Sequence, residues 1–201
     1  MPDANVVALV TDAAEATRRR LTPRQAAVVE RLVSAAADEA RRAGYEGTTV
    51  RSAAKRAGVA PATAYTYFAS KDHLLAEVLW RRMEAIPSVD HPAAAEPMAR
   101  LDAELRAVAF FMADDPELAA ACTTALLGSG PEVFAIRNRF GAELRARILG
   151  ALGDRADARV LRGLELSWSG AMLWAGMGHM AYADVPPALL DTARLLLRGA
   201  T

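Results

Sequence analysis

The sequence contains very little cysteine, histidine or lysine. Its single cysteine, Cys122, excludes a disulfide within the chain and any cysteine metal cluster. The three histidines lie far apart and lack the spacing of metal ligands. No GxSxG, Walker or glycine-rich nucleotide-binding motif occurs either. We therefore expect no metal, no other cofactor and no enzymatic activity.

Long apolar runs are also absent. No stretch of about 18 uninterrupted apolar residues occurs, so a membrane span is not expected. Residues 1–11 have no basic region ahead of their apolar stretch, which argues against a secretory signal. A chain with one cysteine also suits a reducing compartment. We expect a cytoplasmic protein with no membrane partner.

Strand signals are nearly missing, and prolines and glycines separate segments whose apolar residues recur at helical spacing. We predict an all-α fold of about nine helices. The first ends before Gly44, the second has Thr48 as its N-cap, and the fourth begins after Ser70 and runs to Met83. Beyond the proline-rich residues 86–97 we predict five helices, over 97–113, 116–128, 131–152, 155–183 and 187–198.

This layout predicts three regions of the chain: an N-terminal arm over 1–23, a helix-turn-helix domain over 24–83 and a C-terminal helical domain over 84–201. Basic and acidic residues are distributed unevenly along the chain. Residues 1–83 hold 13 basic and 9 acidic residues, whereas residues 84–201 hold 11 and 15. A basic front and an acidic back are typical of a protein that contacts nucleic acid at one end.

Two short helices joined by a glycine-containing turn predict a helix-turn-helix. The helices are expected over 50–57 and 61–67, with the turn at 58–60. Val59, Ala64 and Phe68 are expected to hold the second helix against the core. This leaves outside a set of small, hydroxyl-bearing and aromatic residues, followed by a lysine: Ala62, Thr63, Tyr65, Thr66, Tyr67 and Lys71.

Such a set suits a helix that enters the major groove of double-stranded DNA. Small residues let the helix approach the base edges, and hydroxyls and a cation bind phosphate. The alternative is a helical ligand-binding or adaptor protein whose helix-turn-helix contacts another protein, not DNA.

The stretch Gly44–Leu75, GYEGTTVRSAAKRAGVAPATAYTYFASKDHLL, resembles the DNA-binding signature of the TetR family. The matching features are TTV before the second helix, AGV in the turn, T-x-Y-x-YF in the recognition helix and SK at the fourth helix. The resemblance implies phosphate contacts at Thr49, Tyr65, Tyr67 and Lys71, and base contacts at Arg51, Pro61, Ala62 and Thr63. Thr48 completes the set of candidate DNA-binding residues. Ala60 departs from the family's usual Ser or Thr cap, and Ala62 stands where Gly is common.

The resemblance also implies a homodimer that binds a palindromic operator and is released by a small molecule held in its C-terminal domain. Residues 164–180 are apolar almost all round, and such a helix must be buried on all sides. We therefore expect the helices over 155–183 and 187–198 to form the dimer face.

The expected effector is apolar, since few charges interrupt the helices of the C-terminal half. A looser similarity to repressors of sterol and fatty-acid catabolism in actinobacteria implies an acyl-CoA or sterol-derived thioester. Arg137, Arg139, Arg145 and Arg147 either meet the phosphates of such a thioester or form a solvated helix face. The candidate ligand-binding residues are apolar: Leu105, Phe110, Phe111, Met112, Leu126, Phe134, Phe140, Leu144 and Trp168. The alternative for each of them is that it is an ordinary residue of the hydrophobic core.

Overall fold

The computed structural model describes residues 21–87, 89, 91–92 and 95–198. These residues form nine α-helices and two short 3-10 helices joined by turns, and no strand occurs among them. The predicted all-α class is therefore confirmed. The predicted arm over 1–23 lies outside the described residues except for its last three. The helices are α1 Pro23–Gly47, α2 Val50–Ala57, α3 Pro61–Tyr67, α4 Lys71–Glu84, α5 Pro97–Ala113, α6 Pro116–Ala125, α7 Pro131–Leu152, α8 Ala158–Gly176 and α9 Val185–Arg198.

Helix α1 has a clear signal at each end. Thr22 and Gln25 form a capping box, in which the Thr22 hydroxyl accepts from the Gln25 N–H and the Gln25 side chain accepts from the Thr22 N–H. Pro23 occupies the first helical position, where a missing N–H is harmless. Gly44 has a φ of 64°, so regular helical geometry ends at the residue before it, as predicted.

The N-cap of α2 was predicted one residue too early. Thr49, not Thr48, caps the helix: its hydroxyl accepts from the Ser52 N–H at 2.9 Å. Thr48 is fully buried, and its hydroxyl donates to the carbonyl of Gly44 at 2.7 Å. Ser70 does cap α4, since its hydroxyl accepts from the His73 N–H.

The last two helices differ from the predicted ranges. Helix α8 begins at Ala158 because the Asp157 carboxylate accepts from the N–H groups of Arg159 and Val160, both at 2.8 Å. It ends at Gly176, not at residue 183, and Gly178 turns the chain with a φ of 80°. Helix α9 begins two residues before the predicted Pro187, since prolines fit in a first helical turn. Helix α6 ends at Ala125, three residues short of the prediction.

The described residues fall into two compact units. The first unit contains residues up to Arg81 together with Ala120–Arg139, and in it α1, α2 and α3 pack on one another. The second contains Arg82–Ala119 and the residues from Phe140 onward, and in it α9 packs against α8 and α5. The division into functional domains at residue 84 stays a prediction. No described helix is long and apolar enough to span a membrane.

Candidate functional site

The turn between α2 and α3 has the geometry that a helix-turn-helix needs. Gly58 adopts the left-handed conformation at a φ of 64°, which a residue with a side chain rarely adopts. The Val59 N–H donates to the Ala54 carbonyl at 2.9 Å and closes the turn. Val59, Ala64 and Phe68 are buried, as predicted, and the fully buried Ala54 leaves room for α3 to approach. The position of α3 is therefore fixed by the first unit's core.

The residues predicted to lie on the outer face of α3 do lie there. Ala62, Thr63, Tyr65 and Thr66 are exposed, and Tyr67 is half-buried. Tyr65 leaves 54% of its surface exposed, which is unusual for an aromatic residue on a small helix. This face can bring hydroxyl groups and a ring to a partner. Pro61 begins the helix, and Ala60 supplies no side-chain cap.

The N-terminal end of α2 borders an open groove of about 460 Å³, lined by Thr49, Arg51, Ser52, Lys55 and Pro61. Three of these residues were predicted DNA contacts. Ser52 and Lys55 were not, although Lys55 stands four residues after Arg51 and so on the same helix face. Thr48 does not belong to this surface: because its side chain is buried, the structure removes it from the candidate DNA contacts.

Lys71 reaches back from the start of α4 to the turn after Gly44. Its ammonium donates to the Tyr45 carbonyl at 3.2 Å and lies 3.8 Å from the centre of the Tyr45 ring. The Glu46 carboxylate lies 3.7 Å away. The Tyr45 hydroxyl donates to Asp72 Oδ1 at 2.6 Å, and this hydrogen bond, together with burial, raises the pKa of Tyr45 to about 12. Tyr45 was not among the residues predicted from the sequence.

A buried carboxylate joins α1 to α2. Glu39 accepts from Arg42 at 2.9 Å and from Arg56 on α2 at 2.6 Å. Hydrogen bonds from Arg42 and then Arg56 hold the pKa of Glu39 below its ordinary value, against the effect of desolvation. This clamp fixes the angle at which α2 leaves α1. It was also missed, because a Glu among arginines on a predicted helix resembles a solvated face.

The candidate ligand-binding residues do not share one environment. Phe110 is 70% exposed. Leu126 and Phe134 are half-buried and belong to the first unit, and the side chain of Phe111 lies outside the described residues. The others are buried in the second unit: Leu105, Met112, Phe140, Leu144 and Trp168. Their role in ligand binding stays a prediction.

The second unit does contain an open groove of about 620 Å³ along α5. Ala103, Arg106, Ala107 and Phe110 form one face of that helix and line the groove. The opposite wall comes from the end of α4 and the residues after it: Arg82, Ala85, Ile86 and Pro87. Arg106 also pairs with Asp102 at 2.7 Å, and Arg82 with Asp115 at 3.0 Å. The groove is therefore apolar with arginines beside it.

The four arginines of α7 do not form one solvated face. Arg147 is largely buried, and it donates to Glu104 at 3.1 Å, to Glu143 at 2.9 Å and to the Ile86 carbonyl at 3.0 Å. The same Glu104 is 2.9 Å from His91 Nε2. Arg145 instead pairs with Glu165 on α8, while Arg137 donates to the Leu126 carbonyl and Arg139 lies over the Trp80 ring. Glu104 and Arg147 are thus a buried ion pair that the sequence did not indicate.

Helix α8 buries only part of its apolar surface within the chain. Leu164, Trp168 and Met172 face inward. The opposite side leaves an exposed apolar stripe at helical spacing, made by Leu166, Leu173, Trp174 and Met177, with Leu195 exposed on α9. Gly170 lies in the same stripe, and a Cβ added there would meet nothing within 4 Å. Among the described residues, no cluster of His, Cys, Asp or Glu could hold a metal.

Known proteins are similar to this chain in sequence. The sequence model described as "Bacterial regulatory proteins, tetR family" matches residues 32–78. An uncharacterized HTH-type transcriptional regulator of Mycobacterium tuberculosis is 42% identical over 88% of this chain and 84% of its own length. The HTH-type transcriptional repressor KstR of Rhodococcus jostii is 33% identical over 84% and 82%.

Solved structures share the fold. A TetR transcriptional regulator from Rhodococcus sp. RHA1 has a TM-score of 0.73 at 23% identity, over 89% of this chain and all of its own. The regulator FadR of Bacillus subtilis, solved in complex with stearoyl-CoA, has a TM-score of 0.59 at 20% identity, over 85% and 98%.

Proposed function

Because the chain belongs to the TetR family of bacterial transcriptional regulators, we propose that it is a repressor whose homodimer binds a palindromic operator and is released by an apolar small molecule. TetR-family members are regulators and not enzymes, and they bind DNA and dimerise. The operator lies on the bacterial chromosome, so we place the protein in the cytoplasm.

The observation that carries the proposal is the exposed face of α3, with Lys71 just beyond it. Thr63, Tyr65 and Tyr67 offer hydroxyls to phosphate oxygens, and the small Ala62 lets the helix approach the base edges. Thr49 and Arg51 stand at the start of α2, where backbone N–H groups favour an anion. In this arrangement Thr49, Tyr65, Tyr67 and Lys71 bind phosphates, and Arg51, Pro61, Ala62 and Thr63 face the bases.

The DNA contacts are tested by fluorescence anisotropy with two duplexes, one from upstream of the gene and one of random sequence. We expect the double variant Tyr65→Phe/Lys71→Ala to bind both more weakly, with a salt slope smaller by about two, because a dimer loses two cations that displace counterions. The control is Arg155→Ala, which removes an exposed positive charge from the second unit outside α8 and α9.

Unchanged affinity and slope in the double variant would refute the assignment of these contacts. If the wild type itself bound neither duplex in a salt-dependent way, the adaptor alternative would replace the DNA-binding proposal.

The apolar stripe on α8 and the exposed Leu195 on α9 support a dimer face at these two helices. Isolated apolar residues on a surface are ordinary, but a continuous stripe indicates a partner. Gly170, within the stripe, lets a second helix approach closely. We expect Trp174→Glu to convert a dimer into a monomer in sedimentation velocity. The control is Leu127→Glu, an equally exposed residue of the first unit. A dimer that persists in Trp174→Glu would contradict this face.

The groove along α5 supports an effector with an apolar body and an anionic head. Its walls are apolar, and Arg82 and Arg106 can pair with a carboxylate or a phosphate. A volume of about 620 Å³ is in the range of ligand sites. The FadR structure holds such a ligand, stearoyl-CoA. We propose a long-chain acyl-CoA or a sterol-derived thioester.

A thermal-shift experiment tests the effector class with stearoyl-CoA, coenzyme A alone and stearate. At 100 times its dissociation constant, a ligand stabilises the fold by about 2.7 kcal/mol. We expect stearoyl-CoA to do so and to release the protein from DNA.

Ala107→Trp fills the groove, and Ala99→Trp is the matched control on an exposed position of the same helix. If Ala107→Trp keeps the shift, the effector occupies the buried candidates instead. If stearoyl-CoA does not shift the unfolding temperature, the long-chain acyl-CoA assignment is wrong.

A further inference from the structure

We propose that Tyr45 is a positioning residue for the phosphate contact of Lys71. This inference rests on the proposed function, because it assigns a role at the same DNA-binding surface. It adds a residue that makes no phosphate contact itself and acts through the lysine.

The turn after α1 gives Tyr45 its position. Gly44 reverses the backbone with its positive φ, and the Thr48 hydroxyl donates to the Gly44 carbonyl at 2.7 Å. The Thr48 N–H donates to the Tyr45 carbonyl at 3.3 Å. The turn is thereby closed by two hydrogen bonds from one buried residue, so the carbonyl and the ring of Tyr45 are held together on the side where α4 begins.

Lys71 is held at two points by this residue. One of its three ammonium donors is directed to the Tyr45 carbonyl at 3.2 Å, and the ammonium lies over the Tyr45 ring, 3.8 Å from the centroid. Its side chain is 27% exposed, so a donor remains open to an incoming phosphate. Because a free lysine loses rotamer freedom when it binds, an ammonium already held in place binds phosphate more readily.

The ring is itself anchored. Its hydroxyl donates to Asp72 Oδ1 at 2.6 Å, and the pKa of the phenol, raised to about 12, keeps it protonated at any pH at which DNA binding is measured. The same hydrogen bond holds the Asp72 carboxylate against the Tyr45 hydroxyl. The carboxylate that does compete for Lys71 is Glu46, 3.7 Å away and 93% exposed.

A double-mutant cycle on a random-sequence duplex tests the proposal, since a phosphate contact is independent of sequence. The variants are Tyr45→Leu, Lys71→Ala and their combination. We expect Tyr45→Leu to weaken binding about two- to tenfold per subunit, because a lysine that is no longer held must lose its rotamer freedom when it binds phosphate. In the Lys71→Ala background it should change affinity by less than about 1.5-fold, because no ammonium is left to position.

Two further variants separate positioning from folding. Tyr45→Phe keeps the ring and the carbonyl, so we expect it to restore most of the affinity lost in Tyr45→Leu. Glu46→Gln removes the competing carboxylate and should strengthen binding, by up to about fivefold, as expected for an exposed ion pair. Thermal unfolding of each variant ensures that only folded protein is compared.

The same loss from Tyr45→Leu in both backgrounds, or no loss in either, would overturn the positioning role while leaving DNA binding intact. A wild-type protein without salt-dependent binding to the duplex would overturn the proposed function and this inference together.

Discussion

Replacing Glu39 by Gln probes the clamp between α1 and α2 on which the placement of the helix-turn-helix depends. Gln keeps the size and one oxygen acceptor, but it removes the charge that Arg42 and Arg56 meet at 2.9 and 2.6 Å. A hydrogen bond to a charged group contributes about 1.5–3 kcal/mol, and a neutral one about 0.5–1.5. Losing the charge on two such bonds would therefore destabilise the fold by about 2–3 kcal/mol, and because both arginines are partly exposed to water we expect about 1–2 kcal/mol.

This loss of stability is smaller than the loss caused by breaking a buried ion pair, which is about 3–5 kcal/mol. Only the carboxylate is buried here: the side chains of Arg56 and Arg42 are 41% and 62% exposed and return to water when the charge is gone.

The pH dependence has a definite sign. The pKa of Glu39 is lower in the folded chain than in the unfolded chain, so its contribution is fully present above the unfolded pKa of about 4.5. It disappears as the pH falls through the folded pKa. The difference in stability between the wild type and Glu39→Gln should therefore be largest at neutral pH and shrink as the solution is made more acidic than about pH 4.

Urea unfolding followed by circular dichroism measures this difference, at equal protein concentration because dimer dissociation accompanies unfolding. Asp38→Asn is the matched control, since Asp38 is exposed and pairs with Arg41 in the neighbouring turn of the same helix. It should change stability by less than about 0.5 kcal/mol. The reasoning is refuted if Glu39→Gln is as stable as the wild type, if it loses no more stability than Asp38→Asn, or if its loss does not depend on pH.

Two further substitutions test local features of the fold. Ala60→Ser supplies the side-chain cap that α3 lacks and should stabilise the protein by about 0.5–1 kcal/mol in urea unfolding; no gain would mean that this helix end is satisfied otherwise. Arg147→Met leaves the buried Glu104 with His91 as a hydrogen-bond partner, and we expect a loss of about 3 kcal/mol at pH 7, whereas a neutral result would show that water reaches the carboxylate.

Local rules predicted much of the first unit. The break in α1 at Gly44, the turn at Gly58 and the burial of Phe68 each follow from one residue and its immediate neighbours. The cap of α2 was misplaced because two adjacent threonines are equally good caps in sequence. Only the tertiary fold decides that Thr48 is buried. Tyr45 was missed for a similar reason: an aromatic residue beside a helix end resembles a core residue until Lys71 is seen over its ring.

The second unit was harder to predict. The end of α8 was placed too late because exposed and buried apolar residues look alike in sequence, and Trp174 is exposed where Trp168 is buried. The partners of Arg147 lie 43 and 61 residues away at Glu104 and Ile86, and no local pattern indicates such a pairing. The candidate ligand residues were chosen as apolar side chains, and this property does not separate a cavity wall from a packed core.

Selection of bound duplexes from a random-sequence pool by the wild-type protein, followed by sequencing, tests the central claim most directly. A homodimer that places two α3 helices in successive major grooves should enrich an inverted repeat whose half-sites are centred about 10–10.5 base pairs, or a multiple of a helical turn, apart. An unenriched pool would contradict sequence-specific DNA binding by this chain, and a single half-site without its inverted copy would contradict binding as a symmetric dimer.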